Sequence, residues 1–195
     1  MLQGTTRPTA SRWRGLWSTI PPPNRRWVII NALGVTAAIN VVVNLALAWL
    51  ATRTVQVVPL WSTPLLRPST VVDTLGTTFM LPLITAITCG VALRREIRLG
   101  RVLPLPLDCE ARKLLSRLHR GLVPRAMQIA SLTLAATGPI ALLALVAAQV
   151  GDVSVSSFLL FKVGYAVGLG LIVTPVIALA AMTHEQRPTM GQTSG

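Results

Sequence analysis

Four long apolar runs, separated by polar and basic stretches, dominate the pattern of this chain. They cover about residues 27–50, 70–93, 126–150 and 156–182. A helix needs about 20 consecutive apolar residues to cross the hydrocarbon core of a bilayer, and each run meets that length. A helix also satisfies its own backbone hydrogen bonds, as lipid requires. The pattern therefore predicts an all-α integral membrane protein built as a bundle of four transmembrane helices.

The segments outside the runs define the organisation of the chain. Residues 27–182 are predicted to form a single membrane domain, because the connections between the runs are too short for a second one. Residues 1–26 are polar and basic and are predicted to be a cytoplasmic tail, and residues 183–195 a disordered one. The proline-containing connection over residues 51–69 is long enough to fold back over the bundle as a lid.

A further helical pattern lies in the basic connection between the second and third runs. Asp108 fits an N-cap, and Leu114, Leu115, Leu118 and Leu122 then recur at helical spacing opposite the basic positions. This pattern predicts an amphipathic surface helix that lies on an anionic leaflet and contacts membrane lipids, although a simple solvated face would give the same pattern.

Composition supports the membrane assignment and orients the chain. The sequence is 52% hydrophobic and 12% charged, against about 25% charged residues in soluble domains. Most of the cations lie in the N-terminal tail, the 94–121 connection and the C-terminal tail, so the positive-inside rule predicts that both termini are cytoplasmic and that the protein is a multi-pass component of the plasma membrane. The net charge of +12 follows this topological placement. Nucleic-acid binding is not expected, because no recognition fold fits between the spans.

Two opposite charges lie inside the apolar runs, Asp73 in the second and Lys162 in the fourth. With the predicted orientation, both fall roughly 5–10 Å inside the outer boundary, and Asn44 of the first run lies at the same depth. A charge within a transmembrane segment is costly and marks a functional site by default. The pattern therefore predicts a polar layer near the outer face.

Three interpretations of this layer stay open. Asp73 and Lys162 could form a buried ion pair that locks the helices, with Asn44 completing the hydrogen bonds. They could instead line a small polar pocket that opens to the outer leaflet. Lys162 could also reach the interface alone by snorkelling.

Other residues of the runs share helical faces that bear on these interpretations. Asn40 and Asn44 lie one turn apart and should turn inward, either as interhelical hydrogen bonds or as part of a site. Thr77 lies one turn after Asp73 on the same face. Gly164 and Gly168 form a G-x-x-x-G step that lets another helix approach closely, within the chain or in a second copy of it.

Several reaction classes lack the residues that they need. The apolar runs hold no second acid and no histidine relay for proton-coupled transport. The chain shows no nucleophile triad and no aspartate-rich diphosphate motif, and its histidines and cysteines share no ligand spacing. We therefore expect no metal site and no cofactor. Acid chemistry on an apolar molecule that arrives through the lipid remains feasible, provided that Lys162 is not the direct partner of Asp73.

The second run and its flanks carry a partial resemblance to a known group. The matching segments are Val58-Pro59-Leu60-Trp61, Asp73, Thr78-Phe79-Met80-Leu81-Pro82 and Arg94-Arg95. This pattern, mainly within residues 40–100, resembles small four-span bacterial membrane proteins. Some of that group are similar to the membrane-bound terpene cyclases of bacterial indole-terpenoid (drimentine-type) pathways.

The resemblance implies a metal-independent cyclase that protonates an alkene of a lipophilic prenylated indole and closes rings through carbocations. It implies that Asp73 is the Brønsted acid and that Asn44 or Asn40 orients it. Three aromatic residues would place π faces near the developing cation: Trp49, Trp61 and Phe79. Thr77 and Lys162 complete the predicted substrate-binding set.

Two functional hypotheses follow. The first is the membrane terpene cyclase with Asp73 as its acid. The second is a non-enzymatic membrane protein, such as a small transporter, a channel or an assembly partner, in which Asp73 and Lys162 form a structural pair. A homo-oligomer through Gly164 and Gly168 is compatible with both.

Overall fold

Four long helices make up most of the structure, a computed structural model that describes residues 20–62, 69–102, 118, 121–148 and 151–184. The helices are α1 (Pro22–Thr52), α2 (Thr70–Arg98), α3 (Leu122–Ala147) and α4 (Val155–His184). Each contains a stretch long and apolar enough to cross a membrane, which confirms the prediction of four apolar helices and identifies a membrane-protein architecture.

Helix α1 begins earlier than the apolar run predicts. It starts at Pro22, so the last residues of the segment predicted as a tail belong to the helix. Proline is tolerated in the first turn of a helix because the N–H groups there have no intrahelical acceptor. Within α1, Val28–Val35 is wound as a π-helix between two α-helical segments. The rest of the predicted tail, residues 1–19, lies outside the described residues.

The backbone N–H groups at the start of helix α2 have hydrogen-bond acceptors. Ser69 is the N-cap, and the preceding loop supplies carbonyl acceptors to the first turn. Three backbone N–H groups are bonded in this way: Thr70 to Pro59 O (3.0 Å), Val71 to Leu60 O (3.2 Å) and Val72 to Ser69 Oγ (3.4 Å). These bonds fasten the loop to the helix end that carries Asp73. At its other end α2 runs to Arg98, five residues beyond the predicted boundary at 93.

The remaining boundaries differ from the predictions by a few residues. Helix α3 spans Leu122–Ala147 instead of 126–150, and α4 spans Val155–His184 instead of 156–182. The predicted amphipathic helix over residues 108–122 lies outside the described residues, apart from its last positions, and so does the C-terminal tail from residue 185.

A short β-ladder joins the two loops at one end of the molecule. Strand β1 (Val57–Val58) pairs antiparallel with strand β2 (Val153–Ser154), with Val57 opposite Ser154 and Val58 opposite Val153. The backbone N–H of Val155 also donates to the carbonyl of Gln56 (3.4 Å). The all-α prediction did not include this pair. It brings the 51–69 and 151–155 connections together at the same end of the helices.

The helices pack in the order α1, α4, α2, α3. Helix α2 packs closely against both α3 and α4, and α4 also packs against α1, whereas α1 and α3 lie on opposite flanks. The most apolar windows of α2 and α4 are each 44% buried, against 12% for α1 and 17% for α3. The described helices therefore form a row with α2 and α4 at its centre, in which α1 also contacts α2 directly. Bulky apolar side chains cover the outward faces, as expected of helices that face lipid.

Candidate functional site

Asp73 and Lys162 form an ion pair between the two central helices. Lys162 Nζ donates a hydrogen bond to Asp73 Oδ1. The side chain of Lys162 is 6% exposed and that of Asp73 is 23% exposed. Of the three interpretations that the sequence left open, the geometry matches the direct pair, and Lys162 does not extend alone to the surface.

The fold explains why these two side chains meet. Asp73 lies in the first turn of α2, where the helix dipole stabilises a negative charge. Lys162 lies in the second turn of α4, and the packing of α4 against α2 brings it alongside. Because the lysine is almost fully buried, its ammonium ion depends on this carboxylate for the interaction that water would otherwise supply.

A tyrosine and two threonines form a second polar contact beside the pair. Tyr165, three residues after Lys162, places its hydroxyl 2.6 Å from Thr78 Oγ1. The Thr78 hydroxyl donates to the carbonyl of Thr74 at 2.6 Å. A hydroxyl has one proton to donate, so Tyr165 is the donor to Thr78. The Tyr165 ring also stacks on Phe161, with ring centroids 5.9 Å apart.

Sequence reasoning missed Tyr165, although a signal was present. It is the only tyrosine of the chain and follows Lys162 by three residues, which places both on one side of α4. The hydroxyl of a partly buried tyrosine usually finds a hydrogen-bond partner, and Thr78 of α2 provides it.

The asparagines of α1 are engaged away from Asp73. Asn40 is 8% exposed, and its Nδ2 donates to Thr85 Oγ1 on α2 at 3.3 Å. Asn44 Nδ2 donates to the carbonyl of Asn40 at 2.8 Å. Thr85 lies about 18 Å further along α2 than Asp73, from a rise of about 1.5 Å per residue. The inward orientation predicted for Asn40 is confirmed, but these amides serve the α1–α2 contact and the backbone of α1, and the described hydrogen bonds do not link them to Asp73.

The remaining residues of the predicted set are spread over different environments. Thr77 is buried one turn after Asp73, and Phe79 is partly buried. Trp49 is 57% exposed and Trp61 is 58% exposed, so both tryptophans lie on the outside of the molecule. The structure thus brings Asp73 and Lys162 together and leaves the tryptophans at the surface. A role of these residues in binding substrate stays a prediction.

Neither a metal-binding group of the described residues nor a known relative adds to this geometry. In the described part of the chain, histidine, cysteine, aspartate and glutamate side chains form no group of three or more that could hold a metal ion. No family model, no characterised protein and no solved structure matches this chain.

Proposed function

We propose that this chain is a non-enzymatic, four-span protein of the plasma membrane that works as an assembly partner. In this proposal an ion pair holds its two central helices, α2 and α4, in a fixed register. The observation that carries the proposal is the ion pair between Asp73 and Lys162. The acid that the cyclase hypothesis needs already serves as the counter-ion of a lysine whose side chain is only 6% exposed. A pair of this kind fixes the register of two helices and is consistent with a structural role.

A Brønsted acid has different requirements. It must hold a proton and direct it at an alkene of the bound substrate. In this structure Asp73 Oδ1 accepts a hydrogen bond from Lys162 Nζ, so the oxygen is directed at a cation. This arrangement favours the structural hypothesis over acid catalysis.

The proposed topology has both termini in the cytoplasm. The basic segments flank the apolar runs on the side that the positive-inside rule assigns to the cytoplasm. The β1–β2 ladder holds the two cation-poor connections together, which supports placing both of them at the outer face.

The proposed partner is a second copy of this chain, which would dock on one face of α4. Gly164 and Gly168 are both exposed, and a Cβ atom at either position would meet no atom within 4 Å. Leu160 (77% exposed) and Ile172 (71% exposed) continue the same i, i+4 row. A glycine step flanked by large apolar side chains allows two helices to approach closely in lipid. The G-x-x-x-G step is thus unused inside the described chain and open to another helix.

Substitution of both glycines tests this association. We expect Gly164→Ile/Gly168→Ile to weaken self-association at least tenfold, because the added side chains prevent close approach of a second α4. The melting temperature should change little, since both positions face open space. The measurement is the monomer–oligomer equilibrium of the purified full chain in vesicles, monitored as energy transfer between labelled copies.

Gly76→Ile is the matched control. Gly76 is also an exposed helical glycine with no atom within 4 Å of a Cβ, but it lies on α2 and outside the proposed face. Equal energy transfer in the double variant, the control and the parent chain would exclude this face as the docking surface.

The cyclase remains a second candidate because of two features of the site. Asp73 keeps 23% of its side chain exposed, and the stacked pair of Phe161 and Tyr165 lies within a turn of Lys162. Aromatic faces stabilise cations, and the resemblance over residues 58–95 points to the same chemistry.

An assay with a prenylated indole separates the two candidates. We expect membranes that contain the parent chain to yield no cyclised product above membranes without it. A product formed by the parent chain and by Asp152→Asn, but reduced about 10²–10⁴-fold in Asp73→Asn, would establish the cyclase instead. Asp152 is a suitable control because it is an exposed acid in the loop at the same end of the molecule. Products are measured by mass spectrometry of lipid extracts.

A further inference from the structure

The end of α2 remote from Asp73 carries three arginines on a shallow groove. The apolar run of α2 ends at the buried Leu93, and the helix continues to Arg98. Residues three and four positions apart share a helical face. A groove of about 470 Å³ opens there, and it is lined by Val91, Arg94, Arg95, Arg98 and Leu99.

The backbone at this helix end does not need the arginine side chains. Leu99 N donates to the carbonyl of Arg95 (3.1 Å), Gly100 N to that of Ile97 (3.0 Å) and Arg101 N to that of Glu96 (3.0 Å). Gly100 has a φ of 68°, so these bonds form a Schellman motif, which satisfies the carbonyls of the last turn. The guanidinium groups are therefore not required as caps.

The neighbouring carboxylate is also engaged elsewhere. Glu96 Oε2 lies 3.7 Å from Arg101 Nη1, outside the groove lining. Arg95 and Arg98 are exposed, and neither side chain has a partner among the residues that the structure describes. Arg95 and Arg98 thus present positive charge that no acid among the described residues neutralises.

Two exposed apolar side chains complete the groove. Val91 is 56% exposed and Leu99 is 53% exposed, and they flank the guanidinium groups. With α2 across a bilayer, Leu93 lies at the end of the hydrocarbon core and the arginines lie at the level of the headgroups. A ligand that fits must be anionic where it meets the arginines and apolar where it meets the valine.

We propose that this groove is a binding site for an anionic phospholipid. The phosphate is held by Arg95 and Arg98, whose planar guanidinium groups form paired hydrogen bonds with phosphate oxygens. The upper part of an acyl chain lies against Val91. The site does not depend on the assembly role proposed above, because its residues are remote from both the ion pair and the glycine face of α4.

Lipid titration of the purified full chain tests the site. The readout is native mass spectrometry in detergent, with dioleoyl phosphatidylglycerol as the probe and dioleoyl phosphatidylcholine as the lipid without net charge. We expect saturable binding of phosphatidylglycerol and at least tenfold weaker binding of phosphatidylcholine. Arg95→Gln and Arg98→Gln should each weaken phosphatidylglycerol binding about fivefold, and the double variant roughly 25-fold, since each cation near anionic lipid contributes by about that factor.

Arg101→Gln is the matched control, because it removes one positive charge from the same helix end outside the groove lining. We expect it to change binding less than twofold. If it weakens binding as much as Arg95→Gln, the attraction is diffuse and the site does not exist. If inorganic phosphate binds with the same dependence on Arg95 and Arg98 while phosphatidylglycerol binds no better than phosphatidylcholine, the groove is an anion site and the lipid proposal is overturned.

The double variant Arg95→Lys/Arg98→Lys separates charge from geometry. It keeps both charges but loses the planar guanidinium groups that form paired hydrogen bonds. We therefore expect an affinity for phosphatidylglycerol between those of the parent and the glutamine double variant. If the glutamine double variant does not fold, the phosphatidylglycerol affinity of the lysine double variant is compared with that of the parent instead. An affinity equal to that of the parent would contradict the proposed paired hydrogen bonds.

Discussion

Asp73→Asn is expected to lower the free energy of unfolding by about 3–5 kcal/mol, because it leaves the ammonium of Lys162 buried without a counter-ion. The lysine side chain is 6% exposed, so water cannot replace the lost carboxylate without a movement of α4. The measurement is denaturant or thermal unfolding of the purified chain in one detergent, with Asp152→Asn as the control for the loss of a carboxylate from an exposed position.

The two members of the pair should not contribute equally when removed. Lys162→Met leaves Asp73, whose side chain is 23% exposed and can be partly hydrated, so we expect a smaller loss than for Asp73→Asn. The apolar double variant Asp73→Leu/Lys162→Met should recover most of the stability, because it removes the cost of burying charge together with the attraction between the charges.

Reversal of both charges provides the sharpest check. Asp73→Lys/Lys162→Asp should be more stable than the sum of the two single changes implies, although the altered chain lengths prevent full recovery. The difference is the interaction energy of the double-mutant cycle. Strictly additive losses would show that the pair contributes no coupling between α2 and α4.

Gly90→Leu is expected to lower the free energy of unfolding by about 3 kcal/mol, because Gly90 lies at a point of close approach between α2 and α3. A Cβ atom at Gly90 would overlap Leu122 Cδ1 and lie 3.7 Å from Arg125 Nη2. The first of these atoms is the tip of a flexible side chain, so Gly90→Ala should cost only about 1 kcal/mol, whereas a larger side chain must separate the helices.

The same unfolding assay includes two comparisons for Gly90. Gly76→Leu enlarges a glycine of the same helix that faces open space and should leave stability within about 0.5 kcal/mol of the parent. Adding Leu122→Ala to Gly90→Ala should remove the overlap. If Gly90→Leu is as stable as Gly76→Leu, the α2–α3 interface does not depend on the absence of a side chain at Gly90.

The sequence predicted the helices well because their physical signal is local. Each span is a continuous apolar run, and length alone identifies it. Boundaries were less accurate where another local signal competed with hydropathy. Residues up to 26 were assigned to the tail because they are polar and basic, although proline at position 22 fits the first turn of a helix. At the C-terminal end of α2, Arg94 to Arg98 continue the helix beyond the apolar run.

The arrangement of the helices could not be predicted in the same way. The β1–β2 pair joins residues nearly a hundred positions apart through two very short strands, and neither strand has a pattern of its own. The packing of α4 against both α1 and α2 depends on the fit of whole surfaces, which hydropathy does not encode.

For the site, the sequence predicted the depth of each residue within its apolar run, but it did not predict the direction in which the side chain points. Matching the positions of Asp73 and Lys162 within their runs predicted that they could meet, and the structure pairs them. Asn44 was placed at the same depth, but its amide bonds to the carbonyl of Asn40. Depth fixes one coordinate of a residue, whereas the rotation of its helix decides which partner it contacts.

The position of α4 in the row has a consequence for biosynthesis. Asp73 leaves the ribosome 89 residues before Lys162, a delay of roughly 4 to 18 seconds at about 5–20 residues per second. During that interval α1 and α2 have been made, but α4, which packs against both of them, has not. The nascent chain therefore holds Asp73 without its cation until α4 is made, and α4 then packs against two helices that already contact each other through Asn40 and Thr85. The ion pair at the centre of the fold thus forms only after the last of the four helices has been made.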